Sequence, residues 1–234
     1  MKSTISDKTK LVNSVFSKVH GKYDLMNDIM SFGIHRVWKE KFIDWMQPHA
    51  HSKLIDVASG TGDIAKLFSK TNNNLSEIIC VEPNAQMLEA GRKNLKQFEN
   101  IKWKKGKAEK LPVKDSSYDY YSISYGIRNV TNINKTLKEA YRVLKPGGRF
   151  MCLEFSKIDN EVLNFFYKQY SKAIPLIGKY VVGASQPYEY LIKSIDQFYT
   201  QKQLIELMIN NGFSNAEYRN LSNGVSAIHS GWKI

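Results

Sequence analysis

Asp56-Val57-Ala58-Ser59-Gly60-Thr61-Gly62-Asp63 follows a short apolar strand pattern, Lys53 to Val57, and its reading decides how the whole chain folds. Two glycines spaced G-x-G mark a loop, and a helical pattern starts at Asp63. A second strand pattern, Glu77 to Val81, ends on an acid, Glu82. Glycine lets a backbone pass close to a ligand, and a helix N-terminus presents N–H groups that have no partner inside the helix. An acid at the tip of the second strand can accept both hydroxyls of a ribose. These features point to a nucleoside-bearing cofactor. Asp56, Ser59, Gly60, Thr61, Gly62, Asp63, Glu82, Pro83 and Met87 are the candidate contacts.

A dinucleotide loop has a third glycine where this chain has Ala65, which the looser form of that pattern allows. No G-x-x-x-x-G-K-[ST] phosphate loop occurs. Asp63, directly behind the second glycine, would repel a pyrophosphate at the helix start, where the dipole otherwise favours phosphate. It suits a cationic ligand with an amino group. S-adenosyl-L-methionine (SAM) is such a ligand, with a sulfonium, an α-amino group and a ribose. The competing reading of the loop is a tight strand-to-helix turn in which Asp63 caps the helix.

Around this loop the chain alternates. Strand patterns fall at Lys53–Val57, Glu77–Val81, Ile101–Lys105, Tyr118–Ser124 and Arg149–Phe155, with helix patterns at Asp63–Lys70, Ala85–Phe98 and Ile133–Leu144. That rhythm predicts an α/β fold with a doubly wound, mostly parallel sheet. Lys145-Pro146-Gly147-Gly148 reads as the stop of the last of these helices. A final helix (Gln201–Asn211) and two strands (Ala216–Leu221, Val225–Trp232) predict an antiparallel hairpin at one edge, turning at Ser222-Asn223-Gly224. Before the first strand, Leu11, Val12, Val15, Phe16 and Val19 recur at helical spacing, and Tyr23 to Lys41 reads as two helices broken near Gly33. Between Ser156 and Thr200 the rhythm gives way to an aromatic-rich segment, with Leu163, Phe166, Tyr170 and Ile174 on one helical face. An insertion there lies at the carboxyl end of the sheet, where such folds bind ligands, so it reads as a cover over an apolar substrate. The 234 residues then divide into a helical cap (1–50), a cofactor-binding core (51–156), the cover (157–200) and the closing helix and hairpin (201–234) of one domain.

With 42% hydrophobic residues the chain can bury a core, and no run reaches the ~20 apolar residues of a membrane span. The polar start, Met1 to Lys10, lacks the apolar stretch of a secretory signal, which points to the cytoplasm. Cys80 and Cys152 sit in strand-like apolar runs and read as buried free thiols, and the five scattered histidines suggest no metal site. Net charge is +12, and its densest patch is Lys102, Lys104, Lys105, Lys107, Lys110 and Lys114. Lysines alternating with Trp103 look like a solvated edge strand. No nucleic-acid motif accompanies them, so nucleic acid is not an expected partner.

Four runs carry a resemblance to a known family: Tyr23-Asp24-Leu25-Met26-Asn27-Asp28-Ile29-Met30-Ser31-Phe32-Gly33-Ile34-His35, Gly60-Thr61-Gly62-Asp63, Gly126-Ile127-Arg128-Asn129-Val130-Thr131 and Leu153-Glu154-Phe155-Ser156-Lys157. Arg142-Val143-Leu144-Lys145-Pro146-Gly147-Gly148 and Ala227-Ile228-His229 extend it. The chain resembles the UbiE-type C-methyltransferases of ubiquinone and menaquinone synthesis over nearly all of Val15 to Ile234. The resemblance implies a class I methyltransferase fold of seven strands and methyl transfer from SAM to a ring carbon of a reduced polyprenyl quinone precursor. It further implies that Thr61, Glu82, Lys107 with Ala108, and Ser124 line the cofactor site. Ser59, Glu82, Lys107 and Asp196 stand where the family more often has Gly, Asp, Asn and Arg.

The donor methyl is already activated, so the enzyme must align it and make the acceptor carbon electron-rich by removing a proton from the neighbouring hydroxyl. Arg128 and Asn129, just past the fourth strand, are the candidate catalytic pair. A guanidinium is too basic to be the base itself, so Arg128 reads as stabiliser of a phenolate or as orienter of a water. His229 is a candidate base by chemistry, set against a histidine hydrogen-bonded inside an edge strand. Tyr23, Met26, Arg128 and Tyr188 are the candidate acceptor contacts, with core packing the alternative for Tyr188. A lipid-borne acceptor implies peripheral contact with an anionic membrane surface, and a quinone-synthesis complex or a homodimer fits the resemblance. Two other functions compete: a methyltransferase for RNA or a small metabolite, and a catalytically weak scaffold of a quinone-synthesis complex.

Overall fold

The computed structural model of the protein describes Asp28, Ser31 and residues 33–158 and 186–234. The expected helix around Leu11 to Val19, the acceptor candidates Tyr23 and Met26, and residues 159–185 of the expected cover lie outside the described residues.

Seven strands form one sheet: β1 (Lys53–Val57), β2 (Glu77–Glu82), β3 (Ile101–Lys105), β4 (Tyr118–Ser124), β5 (Leu144–Phe155), β6 (Ser214–Leu221) and β7 (Ser226–Trp232). Their order is β3-β2-β1-β4-β5-β7-β6. Pairing is parallel from β3 to β5, whereas β7 runs antiparallel to both β5 and β6. The expected terminal hairpin is therefore present, with β7 inside and β6 at the edge. The chain winds from β1 toward β3 in one direction and from β4 toward β5 in the other. That reversal leaves a crevice at the carboxyl ends of β1 and β4.

Helices cover both faces. On one lie α1 (His35–Met46), α2 (Asp63–Thr71) and α5 (Gln186–Asp196), packing Trp38, Phe42, Met46, Ile64, Phe68, Tyr188 and Leu191 onto Leu54, Met151 and Leu153. On the other, α4 (Ile133–Val143) and α6 (Gln201–Asn210) pack Leu137, Ala140, Leu204 and Met208 onto Ile55, Ile123 and Cys152. Phe42, Phe68 and Phe150 are fully buried, and each contributes roughly 1.5–3 kcal/mol relative to exposure. Local chemistry sets the ends. Thr200 and Gln203 form a capping box at α6, the Asn132 side chain caps α4, and Asp63 and Lys70 complement the dipole of α2. Gly33 takes φ +77° immediately before α1, which is the break expected there.

After β1, two boundaries differ from the sequence reading by more than two residues. Helix α3 (Ala85–Asn94) stops before Phe98, because Leu95 leaves the helix and packs beneath Gly62. A Cβ on Gly62 would sit 2.6 Å from Leu95 Cδ1. Lys145-Pro146-Gly147-Gly148 does more than stop a helix: it is carried inside β5, which starts at Leu144, with a bulge in the pairing to β4. Gly147 N–H donates to Lys233 O and Lys233 N–H donates to Gly148 O, so this irregular backbone is tied to the chain end. Cys80 and Cys152 are buried and free. The six lysines of the basic patch face solvent along β3 and the loop after it, whereas Trp103 turns inward over Gly91.

Candidate active site

β1 and β4 lie side by side, with Asp56 opposite Ser122 and Val57 opposite Ile123. Directly past their ends, Ala58 and Tyr125 both take left-handed backbone, φ +52° and +53°. A residue with a Cβ holds that geometry at a cost of about 1–3 kcal/mol. A Cβ on Gly126 would lie 2.7 Å from Ala58 Cβ, so the two turns interlock and fix each other. Gly60 and Gly62 then take φ +57° and +90° and deliver the chain to α2. The cleft between the turns is lined by Lys39, Asp56, Ala58, Ser59, Gly60, Thr61, Asp63, Ile64, Ser124 and Tyr125.

Behind the loop, Glu82 Oε2 accepts from Gly60 N–H at 2.9 Å and Oε1 accepts from Asn84 N–H at 2.9 Å. Burial pushes the Glu82 carboxyl above its ordinary value, against the pull of those two bonds. Met87 is buried, with its Cε 3.4 Å from where a Cβ on Gly60 would be. Pro83 is exposed. Asp56 Oδ1 accepts from Ser122 Oγ at 2.6 Å, while its Oδ2 is buried without a partner among the described residues. Burial raises the Asp56 carboxyl to about 7, the Ser122 bond opposing and the charges of Asp63 and Glu82 adding. The Ser124 hydroxyl is also buried and has no partner among the described residues.

Asp63 is the first residue of α2, yet no side-chain capping bond forms there. Its Oδ2 instead meets Lys39 Nζ at 2.6 Å, a lysine delivered from α1 with a side chain only 9% exposed. Lys107 is exposed and Ala108 buried, and neither lines the cleft. They follow Gly106, whose N–H donates to Glu82 O at 3.4 Å.

Arg128 and Asn129 sit in a 3-10 turn (Ile127–Asn129) past β4. Arg128 is buried, and its Nη1 donates to Glu154 Oε1 at 2.5 Å and to Tyr125 O at 2.7 Å. Glu154 Oε2 accepts from Arg128 N–H at 3.3 Å, and its Oε1 also accepts from Phe155 N–H at 2.9 Å. Burial raises the Glu154 carboxyl and the Arg128 charge opposes that rise. Asn129 Oδ1 accepts from Tyr190 Oη at 2.9 Å, which ties α5 to this turn.

The remaining two candidates fall elsewhere. Tyr188 is fully buried in the core under α5, and its hydroxyl has no partner among the described residues. His229 lies in β7 opposite Cys152, on the sheet face that α6 covers, with Nε2 3.2 Å from Gln201 O. Burial lowers its imidazole to about 4, so it stays neutral. Two strands, β4 and β5, separate it from the Asp56 strand. The structure thus joins Asp56, Ser59, Gly60, Thr61, Asp63 and Ser124 around one cleft, with Arg128 and Asn129 beyond the same turn, and leaves His229 apart. Lys39, Glu154 and Tyr190 are the additions. Glu154 lies in the Leu153–Lys157 run already singled out, whereas nothing local marks Lys39.

The family model described as the ubiE/COQ5 methyltransferase family matches residues 3–233. The curated ubiquinone/menaquinone biosynthesis C-methyltransferase UbiE of Rickettsia bellii (strain OSU 85-389) is 50% identical over 236 residues, 98% of this chain and 95% of that protein. The protein of the same name from Rickettsia prowazekii (strain Madrid E) is 51% identical, covering 96% of this chain and 93% of that one. That from Brucella anthropi is 46% identical, covering 98% and 89%. Among solved structures, a SAM-dependent methyltransferase from Thermotoga maritima, titled a possible histamine N-methyltransferase, superposes with TM-score 0.66 at 22% identity, covering 95% of this chain and 99% of that one. A Haemonchus contortus phosphoethanolamine N-methyltransferase with bound S-adenosylhomocysteine superposes with TM-score 0.61 at 13% identity, covering 84% and 52%. At such identities the solved structures speak for the fold alone. The length of the family match and the identity to the curated relatives speak for descent: this chain belongs to the ubiE/COQ5 methyltransferase family.

Proposed function

We propose that this protein transfers a methyl group from SAM to a ring carbon of a reduced polyprenyl quinone precursor, in ubiquinone or menaquinone synthesis. The observation that carries the reading is an acidic, glycine-lined cleft at the point where the winding of the sheet reverses, in a chain half identical to C-methyltransferases so named.

The residues present fit the cofactor. Asp56 Oδ2 and the Ser124 hydroxyl are buried polar atoms in the wall of the cleft without partners among the described residues, suited to a ligand that brings donors. Asp56 and Asp63 would hold its cationic end, Ser59 to Thr61 would let it approach the backbone, and Glu82 would take ribose hydroxyls. Each Glu82 oxygen accepts one backbone N–H and keeps a further acceptor site. When bound, SAM supplies a methyl group already activated by positive sulfur, so the protein needs no nucleophile.

What the chain must supply is alignment and relief of the acceptor hydroxyl proton. Arg128 cannot take that proton itself. Paired with Glu154, it is a fixed guanidinium that stabilises the phenolate as charge develops. Asn129, held by Tyr190, presents a polar edge next to it. His229 stands too far from the cleft to serve as base. Lys107 and Ala108 remain candidate cofactor contacts through the loop beside Glu82.

A lipid-borne acceptor brings the enzyme to a membrane, yet no helix among the described residues is long and apolar enough to cross one. The solvent-facing lysines along β3 would meet anionic head groups there. Salt-sensitive sedimentation with anionic vesicles is the expected result, and binding indifferent to salt and lipid charge would rule the contact out. A quinone-synthesis complex or a homodimer is a further expectation, read by light scattering.

The test of the activity is transfer of labelled methyl to short-tailed demethyl benzoquinol and demethyl naphthoquinol, both reduced. Turnover of either is expected, and the ratio assigns the pathway. Turnover of neither, with cofactor binding intact, would sink the reading and favour a scaffold.

A further inference from the structure

The cleft holds more acid than a zwitterion needs. Asp56 and Asp63 line it and Glu82 stands directly behind it, whereas SAM ends in one α-ammonium and one α-carboxylate. An α-carboxylate entering that field meets like charge unless a cation accompanies it. Among the described residues that line the cleft, Lys39 is that cation.

Its placement costs something that core packing does not require. Lys39 projects from α1 beside Trp38, Phe42, Ile43 and Met46, all buried, and its own side chain is 9% exposed. A buried ammonium needs a partner. Lys39 Nζ finds Asp63 Oδ2 at 2.6 Å across 24 residues of sequence. Asp63 itself is 43% exposed, so the pair lies at the wall of the cleft, with one member open to a ligand. A lysine that merely filled space under α1 would have no reason to end there.

We propose that Lys39 and Asp63 together recognise the amino-acid end of the cofactor, Lys39 taking the α-carboxylate and Asp63 the α-ammonium. The ion pair already present sets the two charges side by side, in the alternating order that a zwitterion completes. Lys39 is then a determinant of specificity: it makes the site require an intact amino acid rather than any adenosyl cation or thioether. The inference rests on the cofactor reading above and deepens it.

The test is calorimetric binding of two ligands that differ only in that carboxylate, S-adenosylhomocysteine and its decarboxylated analogue S-adenosyl-3-thiopropylamine, to wild type and to Lys39→Gln. Wild type should prefer S-adenosylhomocysteine by about 10- to 100-fold, the range of a charge-assisted hydrogen bond. Lys39→Gln should lose most of that preference by weakening S-adenosylhomocysteine alone, with the analogue changed by less than about threefold. Lys39→Arg, which keeps the charge, should restore the preference in part. Equal weakening of both ligands would reduce Lys39 to a support for Asp63 and overturn the proposal. Equal affinity of wild type for both ligands would overturn it without any variant, with cofactor binding still standing. Binding of neither by wild type would overturn it together with the cofactor reading.

Discussion

Arg128 Nη1 and Glu154 Oε1 stand 2.5 Å apart, joining the turn after β4 to the end of β5, with side chains 2% and 1% exposed. At that depth neither charge can be satisfied by water. Removing one partner strands the other and costs about 3–5 kcal/mol. Arg128→Met and Glu154→Gln should each lower stability by that order in urea unfolding at pH 7.5, and the double variant should lose less than the sum of the two. Additive losses would mean that the two charges act independently.

Asp56 titrates against burial. Its ordinary carboxyl value of 3.8 is raised to about 7, so the folded protein binds more protons than the unfolded chain between those values. Its contribution is therefore fully favourable below about pH 4 and is lost as pH rises through about 7. Asp56→Asn should match wild type near pH 4 and exceed its stability at pH 8 by as much as roughly 4 kcal/mol. Urea unfolding at the two pH values reads this. The same variant should bind S-adenosylhomocysteine more weakly, since an amide cannot pair with an ammonium as a carboxylate does.

His229 has the opposite sign. Burial depresses its imidazole from 6.5 to about 4, so its contribution is present above about 6.5 and lost as pH falls through about 4. His229→Gln should flatten the acid side of the stability profile by up to roughly 3 kcal/mol. The pH–rate profile between 6.5 and 9 should keep its wild-type shape, because the ring is neutral and distant from the cleft. A large fall in the rate across that range would return His229 to candidacy as the base.

The Tyr190–Asn129 hydrogen bond, 2.9 Å long, links α5 to the turn that carries Arg128. Tyr190→Phe should cost about 1 kcal/mol of stability. Because the bond orients Asn129 and not the glycine loop, KM for the quinol should rise severalfold while the Kd of S-adenosylhomocysteine holds. Steady-state kinetics and calorimetry on the same preparation separate the two.

Gly91 is set by volume. A Cβ there would lie 2.1 Å from Trp103 Cη2 and 2.6 Å from its Cζ2, closer than packed atoms approach, so the indole must shift. Gly91→Ala should destabilise by about 1–3 kcal/mol. Combined with Trp103→Leu the penalty should shrink, since the smaller side chain vacates the space, and thermal unfolding of the four proteins measures it.

The alternation of strands and helices was legible because period-2 and period-3.6 apolar patterns report burial directly, and all seven strands were found with it. Leu95 and Leu144 were misjudged for a tertiary reason: Leu95 leaves its helix to pack under Gly62, and Leu144 pairs with Tyr118 ahead of a bulge. The glycine loop and its acids were legible because ligand, turn and helix start lie within a few residues. Lys39 was not, since its neighbourhood reads as ordinary helix, and the pairing of Glu154 was not although its run stood out, since each acts on a partner 24 or 26 positions away. Fold topology alone brings them into place.

Glu82 holds Gly60 by its backbone N–H, so the loop is shaped before any ligand arrives. Everything that carboxylate and loop would grip, the ribose above all, is identical before and after the methyl group leaves. Grip that does not change during the reaction binds what comes in and what remains equally well, and adds nothing to the rate of the chemical step. The spent cofactor should therefore be a strong competitive inhibitor, and sustained turnover should depend on its removal by a second enzyme.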